Sequence, residues 1–179
     1  MNFKWKPVEE NTIDFQIEIV QDNNNDKIIY YVDEETQSIK KYKQYHLKVG
    51  YNEIDDDACE FYLKTLKLEK KFRSKNIIDF NPFKLPSGSH DTFITNIPIN
   101  NGRAYGERDK LELQNGDIIE FKYNADHKKD NCKWIPLRRR PDKQTPQYFK
   151  IAKLIWDTIQ YPVSYEMITD KVPMETIRG

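Results

Sequence analysis

From Thr12 to Ile19 apolar and polar residues alternate without a break: Ile13, Phe15, Ile17 and Ile19 take one parity, Thr12, Asp14, Gln16 and Glu18 the other. Side chains of a strand point alternately to opposite faces, so this period of two commits the segment to a half-buried strand and the chain to a sheet. The polar turn 22–26 follows and 27–32 resumes an extended run, so the two runs are expected to pair as an antiparallel hairpin. A third strand is expected between Tyr42 and Tyr51, with Tyr45, Leu47, Val49 and Tyr51 on one side, and a short one over Phe93–Ile97. Asn115-Gly116 is a tight-turn dipeptide before 117–123, where Ile119, Phe121 and Tyr123 form the inward face. The last strand is expected over 133–137, with Ile135 and Leu137 filling the interior.

Two stretches break this rhythm. Between Asp55 and Leu68, Cys59, Tyr62, Leu63 and Leu66 suit a helix, while Tyr62, Leu66 and Leu68 also suit a strand; we read the segment as a helical insertion. Residues 69–91, with Phe80-Asn81-Pro82 and Leu85-Pro86-Ser87-Gly88, read as a long excursion from the sheet. After Pro146 the period changes, and Tyr148, Ala152, Ile155, Trp156 and Ile159 form one helical stripe that Tyr161-Pro162 ends. The whole predicts a mainly β chain, an OB-type antiparallel barrel with a helical insertion and a C-terminal helix.

Charge narrows the function only locally. Lys plus Arg equals Asp plus Glu at 29 each, so no global field draws in nucleic acid, and any anion site must come from clustering. Two cysteines, Cys59 and Cys132, without C-x-x-C support neither a zinc site nor a disulfide framework. No apolar run of about 18 residues and no signal-type apolar segment occurs, so an intracellular, cytoplasmic protein with no membrane partner is expected. Asp55-Asp56-Asp57 reads as a solvated loop, and His46, His90 and His127 are too scattered to nominate a general base.

Two basic clusters are candidates. If Phe3–Lys6 is extended, Lys4 and Lys6 share one face and Trp5 anchors the other, so two ammonium groups can reach one anion; Pro7 ends the strand. In the second cluster Arg138, Arg140 and Asp142 share a parity opposite to Ile135 and Leu137, so the charges face away from the core. Arginine forks suit phosphate oxygens, and Asp142 can orient a neighbouring Arg or Lys. Either cluster alone would be a solvated face.

Together, and in order, they resemble a known family. Lys4-Trp5-Lys6-Pro7 with Thr12-Ile13-Asp14-Phe15 resembles nucleotidyltransferase motif V of mRNA capping enzymes of the large DNA virus type, and Arg140-Pro141-Asp142-Lys143 resembles motif VI, R-x-D-K. Phe80-Asn81-Pro82 and Gly116-Asp117-Ile118-Ile119-Glu120-Phe121 resemble further stretches of those proteins, as do Ile155-Trp156 and Tyr161-Pro162-Val163-Ser164 after motif VI. The chain departs from the family at Gln147, where asparagine is usual after the proline.

The resemblance implies a division at 1–7, the end of a nucleotidyltransferase domain; 8–145, the OB-fold domain; and 146–179, a helical segment leading toward a cap methyltransferase domain. It implies a guanylyltransferase in which a lysine attacks the α-phosphate of GTP and GMP passes to the 5′-diphosphate end of RNA. Lys4 and Lys6 would contact the α-phosphate. Arg140, Asp142 and Lys143 would orient the β- and γ-phosphates, with Arg138 as a further substrate contact. Mg²⁺ or Mn²⁺ is implied for the complete enzyme, with no ligand set in this chain, and a viral factory or virion is a further expected setting. The K-x-D-G nucleophile motif does not occur in these residues, so this chain is expected to be inactive alone. An ATP-dependent polynucleotide ligase shares the R-x-D-K logic, and a non-enzymatic single-strand-binding OB module is a third reading.

Overall fold

Both edges of the alternating strand are occupied. In the computed structural model, which describes residues 10–33, 36–51, 77–82 and 93–162, β1 (Thr12–Ile19) pairs antiparallel with β5 (Ile39–Gly50) on one side and with β8 (Ile118–Tyr123) on the other. Lys4, Lys6 and the expected 55–68 insertion lie outside the described residues. Ile13, Phe15 and Ile17 are fully buried, and their register places Ile13 opposite Phe121, Phe15 opposite Ile119 and Ile17 opposite Leu47.

That double occupancy overturns the expected hairpin. β2 (Gln21–Asp22) and β3 (Asn25–Asp26) make a small two-stranded turn of their own, and β4 (Ile28–Val32) pairs with β5, not β1. With β5 and β8 already hydrogen-bonded along β1, no edge remains for β4. β5 is long enough to serve several partners in turn: β4 over its first half, β1 over its second, and β6 (Ile77–Asp79) and β7 (Ile94–Pro98) beside them. β6 also corrects the expected excursion, because Ile78 and Phe80 alternate inward and bring residues 77–80 back to the sheet.

β8 pairs with β9 (Trp134–Arg139), giving the path β4-β5-β1-β8-β9. The expected mainly β, antiparallel fold with a C-terminal helix is present, but the sheet is not closed into a barrel. Among the described residues no ladder joins β9 to β7. The outer edge of β9 is instead covered by a loop and a side chain: the Glu107 and Arg108 amides donate to the Pro136 and Leu137 carbonyls at 2.9 and 2.8 Å, and Thr95 Oγ1 donates to the Trp134 carbonyl at 3.2 Å. Pro136 has no amide to offer a further strand.

The core is aromatic. Phe15 lies 5.0 Å from both Phe80 and Trp134, ring centroid to centroid, and Tyr123 lies 4.9 Å from Trp134 and 4.8 Å from Trp156. Trp156 comes from α1 (Phe149–Gln160), which buries Phe149, Ala152 and Trp156 against the sheet. Tyr148, expected in that stripe, is 46% exposed: it is the extended residue before the first helical turn, bridged to Gly50. No helix among the described residues is long and apolar enough to cross a membrane.

Candidate functional site

The site is built where β9 runs out. Glu120 on β8 pairs with Arg138, and the next pair is Phe121 with Pro136, so Leu137 is an unpaired extra residue, a β-bulge. The bulge changes the expected parity. Trp134 is in the core and Ile135 is only half-buried, while Leu137 is buried apart from the main cluster. Beyond the bulge three arginines in succession meet four carboxylates, Glu120, Asp117, Asp14 and Asp142.

Asp14, Glu120 and Arg138 lie in one cross-strand row over β1, β8 and β9. Arg138 Nε donates to Glu120 Oε2 at 2.6 Å, and Thr12 Oγ1 donates to Glu120 Oε1 at 2.9 Å. Burial alone would push the Glu120 carboxyl up, but the hydrogen bonds from Arg138 and Thr12 outweigh it and hold the group below its ordinary range. Arg139 turns to the other side, donating from Nη2 to Asp117 Oδ1 at 2.9 Å, with its amide on Asp109 Oδ2 at 2.8 Å.

Arg140 is held on two edges. Nη1 donates to both oxygens of Asp14 at 3.0 and 3.1 Å; Nε and Nη2 make a fork on Asp142 at 3.0 and 2.8 Å. Lys143 Nζ also donates to Asp14 Oδ2. The Asp14 side chain is 6% exposed and Asp142 62%, so one partner is a fixed anchor and the other a solvent-facing latch. The Asp142 fork, helped by Asp14, raises the Arg140 pKa further, and Arg140 holds the Asp142 carboxyl down at about 2.

The backbone fixes the same turn. The Arg140 amide donates to the Ile118 carbonyl at 2.8 Å, and the Lys143 amide to the Arg140 carbonyl at 3.1 Å. Further on, the Gln147 amide donates to the Asp14 carbonyl at 2.8 Å and its carbonyl accepts from the Gly50 amide at 2.9 Å. Residues 140–147 are thus tied across β8, β1 and β5. A cleft of about 450 Å³ flanks the turn, lined by Gly116, Asp117, Ile118, Arg139, Arg140 and Lys143. Gly116 has φ +89°, the left-handed conformation that the Asn115-Gly116 turn requires.

Of the residues nominated from sequence, the structure brings Arg140, Asp142 and Lys143 together, sets Arg138 beside them, and leaves Lys4 and Lys6 outside the described residues. Sequence reading missed Asp14 and Glu120 as acceptors. Each was visible as a carboxylate of outward parity in a strand, but which arginine each would meet depends on strand order. Among the described residues no three His, Cys, Asp or Glu side chains converge as a metal site, and the four acids here are committed to arginine or lysine. Burial pushes the Cys132 thiol up to about 11, so it is neither a ready ligand nor a nucleophile near neutral pH.

This turn lies within a stretch that has known counterparts. Residues 10–169 match the family described as mRNA capping enzyme, C-terminal domain. The chain is also 28% identical over 180 residues to the "Probable mRNA-capping enzyme" of Acanthamoeba polyphaga mimivirus, a match that covers 94% of this chain and 13% of that protein. Spanning so small a part of its relative, the chain corresponds to one region of a much longer protein. With the match running from the start of β1 past the R-P-D-K turn and α1, the chain belongs to the mRNA capping enzyme C-terminal domain family.

Proposed function

We propose that this chain is the lid domain of an mRNA guanylyltransferase, in which Arg140, Asp142 and Lys143 orient the β- and γ-phosphates of GTP while a lysine of a partner nucleotidyltransferase domain attacks the α-phosphate. The observation that supports it most is the pre-built turn 140–147, whose cations are positioned by a buried carboxylate before any ligand arrives. Attack needs in-line alignment and neutralisation of the departing pyrophosphate, and fixed cations do this without reorganising at the moment of reaction.

As described, the cluster is locally balanced, with Arg138, Arg140 and Lys143 facing Asp14, Glu120 and Asp142. On this reading phosphate oxygens displace the exposed Asp142 from the outer edge of Arg140, while Asp14 keeps hold of the inner edge. Domain closure brings the turn to the nucleotide and reopening admits RNA. Lys4 and Lys6 join the α-phosphate in the same proposal. Mg²⁺ or Mn²⁺ is proposed only as a partner of the complete enzyme. A cap methyltransferase domain, and a cytoplasmic viral setting, extend the proposal by family likeness.

Nucleotide choice tests it. The complete enzyme should form an acid-resistant adduct with α-labelled GTP and not with ATP, and the isolated chain should take up no label. Labelling by ATP would make the protein a ligase relative, and a GMP adduct on the isolated chain would place the nucleophile here.

A further inference from the structure

β5 runs on past the core. On the parity that carries Tyr45 inward, Ile39, Lys41 and Lys43 project from its first half, with cross-strand partners Val32, Tyr30 and Ile28 beside them. Ile99, whose amide donates to the Lys41 carbonyl at 3.0 Å, and the left-handed turn Asn101-Gly102 close the other wall. Together they form an open cleft of about 670 Å³. It touches β4, β5 and the segment after β7, whereas the R-P-D-K turn follows β9 at the opposite end of the sheet path.

The lining interleaves aromatic and aliphatic surface with positive charge. Tyr30 and Ile39 are 60% and 66% exposed, more than a domain gains by leaving them in water. Among the described residues of the lining, three lysines, Lys40, Lys41 and Lys43, stand against one carboxylate, Asp26. Lys43 is ion-paired with Asp26 and Lys40 with Asp33, but Lys41 has no carboxylate partner among the described residues. Its ammonium lies 5.8 Å from the centroid of the Tyr30 ring instead. An exposed ring beside a cation that no described carboxylate pairs, in an open groove, matches the chemistry of an unpaired nucleic-acid strand: a base has a face to stack and a phosphate for the cation. A face for an apolar protein partner would not carry lysine at alternate positions.

We propose that this cleft binds single-stranded RNA, with Tyr30 as the stacking platform and Lys41 as the phosphate contact. The choice of RNA rests on the guanylyltransferase reading; the binding itself is measured apart from it. The test is fluorescence anisotropy of a labelled, unstructured RNA oligonucleotide with the full chain, at several salt concentrations. Saturable binding that weakens with salt is expected. Tyr30→Ala should weaken it roughly tenfold and Tyr30→Phe should restore it, since stacking needs the ring and not the hydroxyl. Lys41→Ala should lower the salt slope by about one contact. Both positions are solvent-facing, so circular dichroism of each variant should match the parent chain.

Three results would overturn the proposal: no saturable RNA binding, binding within twofold of the parent in both Tyr30→Ala and Lys41→Ala, or equal loss from Lys110→Ala, an exposed lysine outside the cleft. Loss of a protein contact in the cleft variants with RNA binding intact would make the surface a protein-docking face and overturn it as well. The assay contains no GTP and forms no adduct. Its failure therefore leaves the guanylyltransferase reading in place, and failure of GMP labelling leaves this binding to be measured.

Discussion

Asp14 sits under two cations with only 6% of its side chain exposed, and its removal leaves the inner edge of Arg140 and the Lys143 ammonium without their shared acceptor. Breaking a buried ion pair from one side typically costs about 3–5 kcal/mol. Arg140 keeps Asp142, so Asp14→Ala should destabilise the chain by about 2–3 kcal/mol, read as a lower urea midpoint at unchanged slope. Asp142→Ala should leave that midpoint nearly where it was, because the latch is solvent-exposed. Glu120 adds a pH signature. Its folded carboxyl binds a proton less readily than the unfolded one, so its contribution is complete above the ordinary carboxylate pKa and is lost as pH falls through the depressed value. Glu120→Gln should therefore flatten the acid limb of stability against pH; an unchanged limb would show that the Arg138 and Thr12 contacts contribute nothing. The charged residues at this scale were legible as types. Their partners were not, since Asp14 lies 126 residues from Arg140 in sequence and meets it only through strand order.

At the scale of elements, β9 shows what periodicity can and cannot deliver. Alternation located the strand, yet the single unpaired residue Leu137 shifts the parity within it, and nothing in a period of two announces a bulge. The consequence is measurable: Trp134→Ala should cost about 3–5 kcal/mol through loss of its packing on Phe15, Tyr123 and Trp156, whereas Ile135→Ala should cost clearly less. Equal losses would restore the unbulged register. The loop that covers β9 is equally demanding. A Cβ at Gly106 would meet Asp109 Oδ1 and lie 3.0 Å from the Leu137 carbonyl oxygen, so Gly106→Ala should displace the carboxylate that caps the Arg139 amide and lower the thermal midpoint. The helical stripe was read correctly at Ala152 and Trp156 and wrongly at Tyr148, because capping geometry decides the first turn and period alone does not reach it.

For the whole molecule, composition and patterning were enough to foresee an antiparallel, mainly β chain ending in a helix. They were not enough to foresee which strands pair. β1 and β4 are separated only by the short β2-β3 turn and look like a hairpin, but β1 is saturated by β5 and β8, a fact of long-range topology. The same topology gathers the R-P-D-K turn, the Asp14 strand and the Gly116 turn at one place, and the family match covers all three. The proposed function assigns that place to the phosphates of GTP. Its most direct test is the rate of lysyl-GMP formation in the complete enzyme carrying Arg140→Ala, followed by rapid quench with α-labelled GTP. Loss of one preorganised charge donor predicts a slowing of roughly 10²-fold or more; a rate equal to that of the unsubstituted enzyme would contradict the assignment of the turn to the phosphates of GTP.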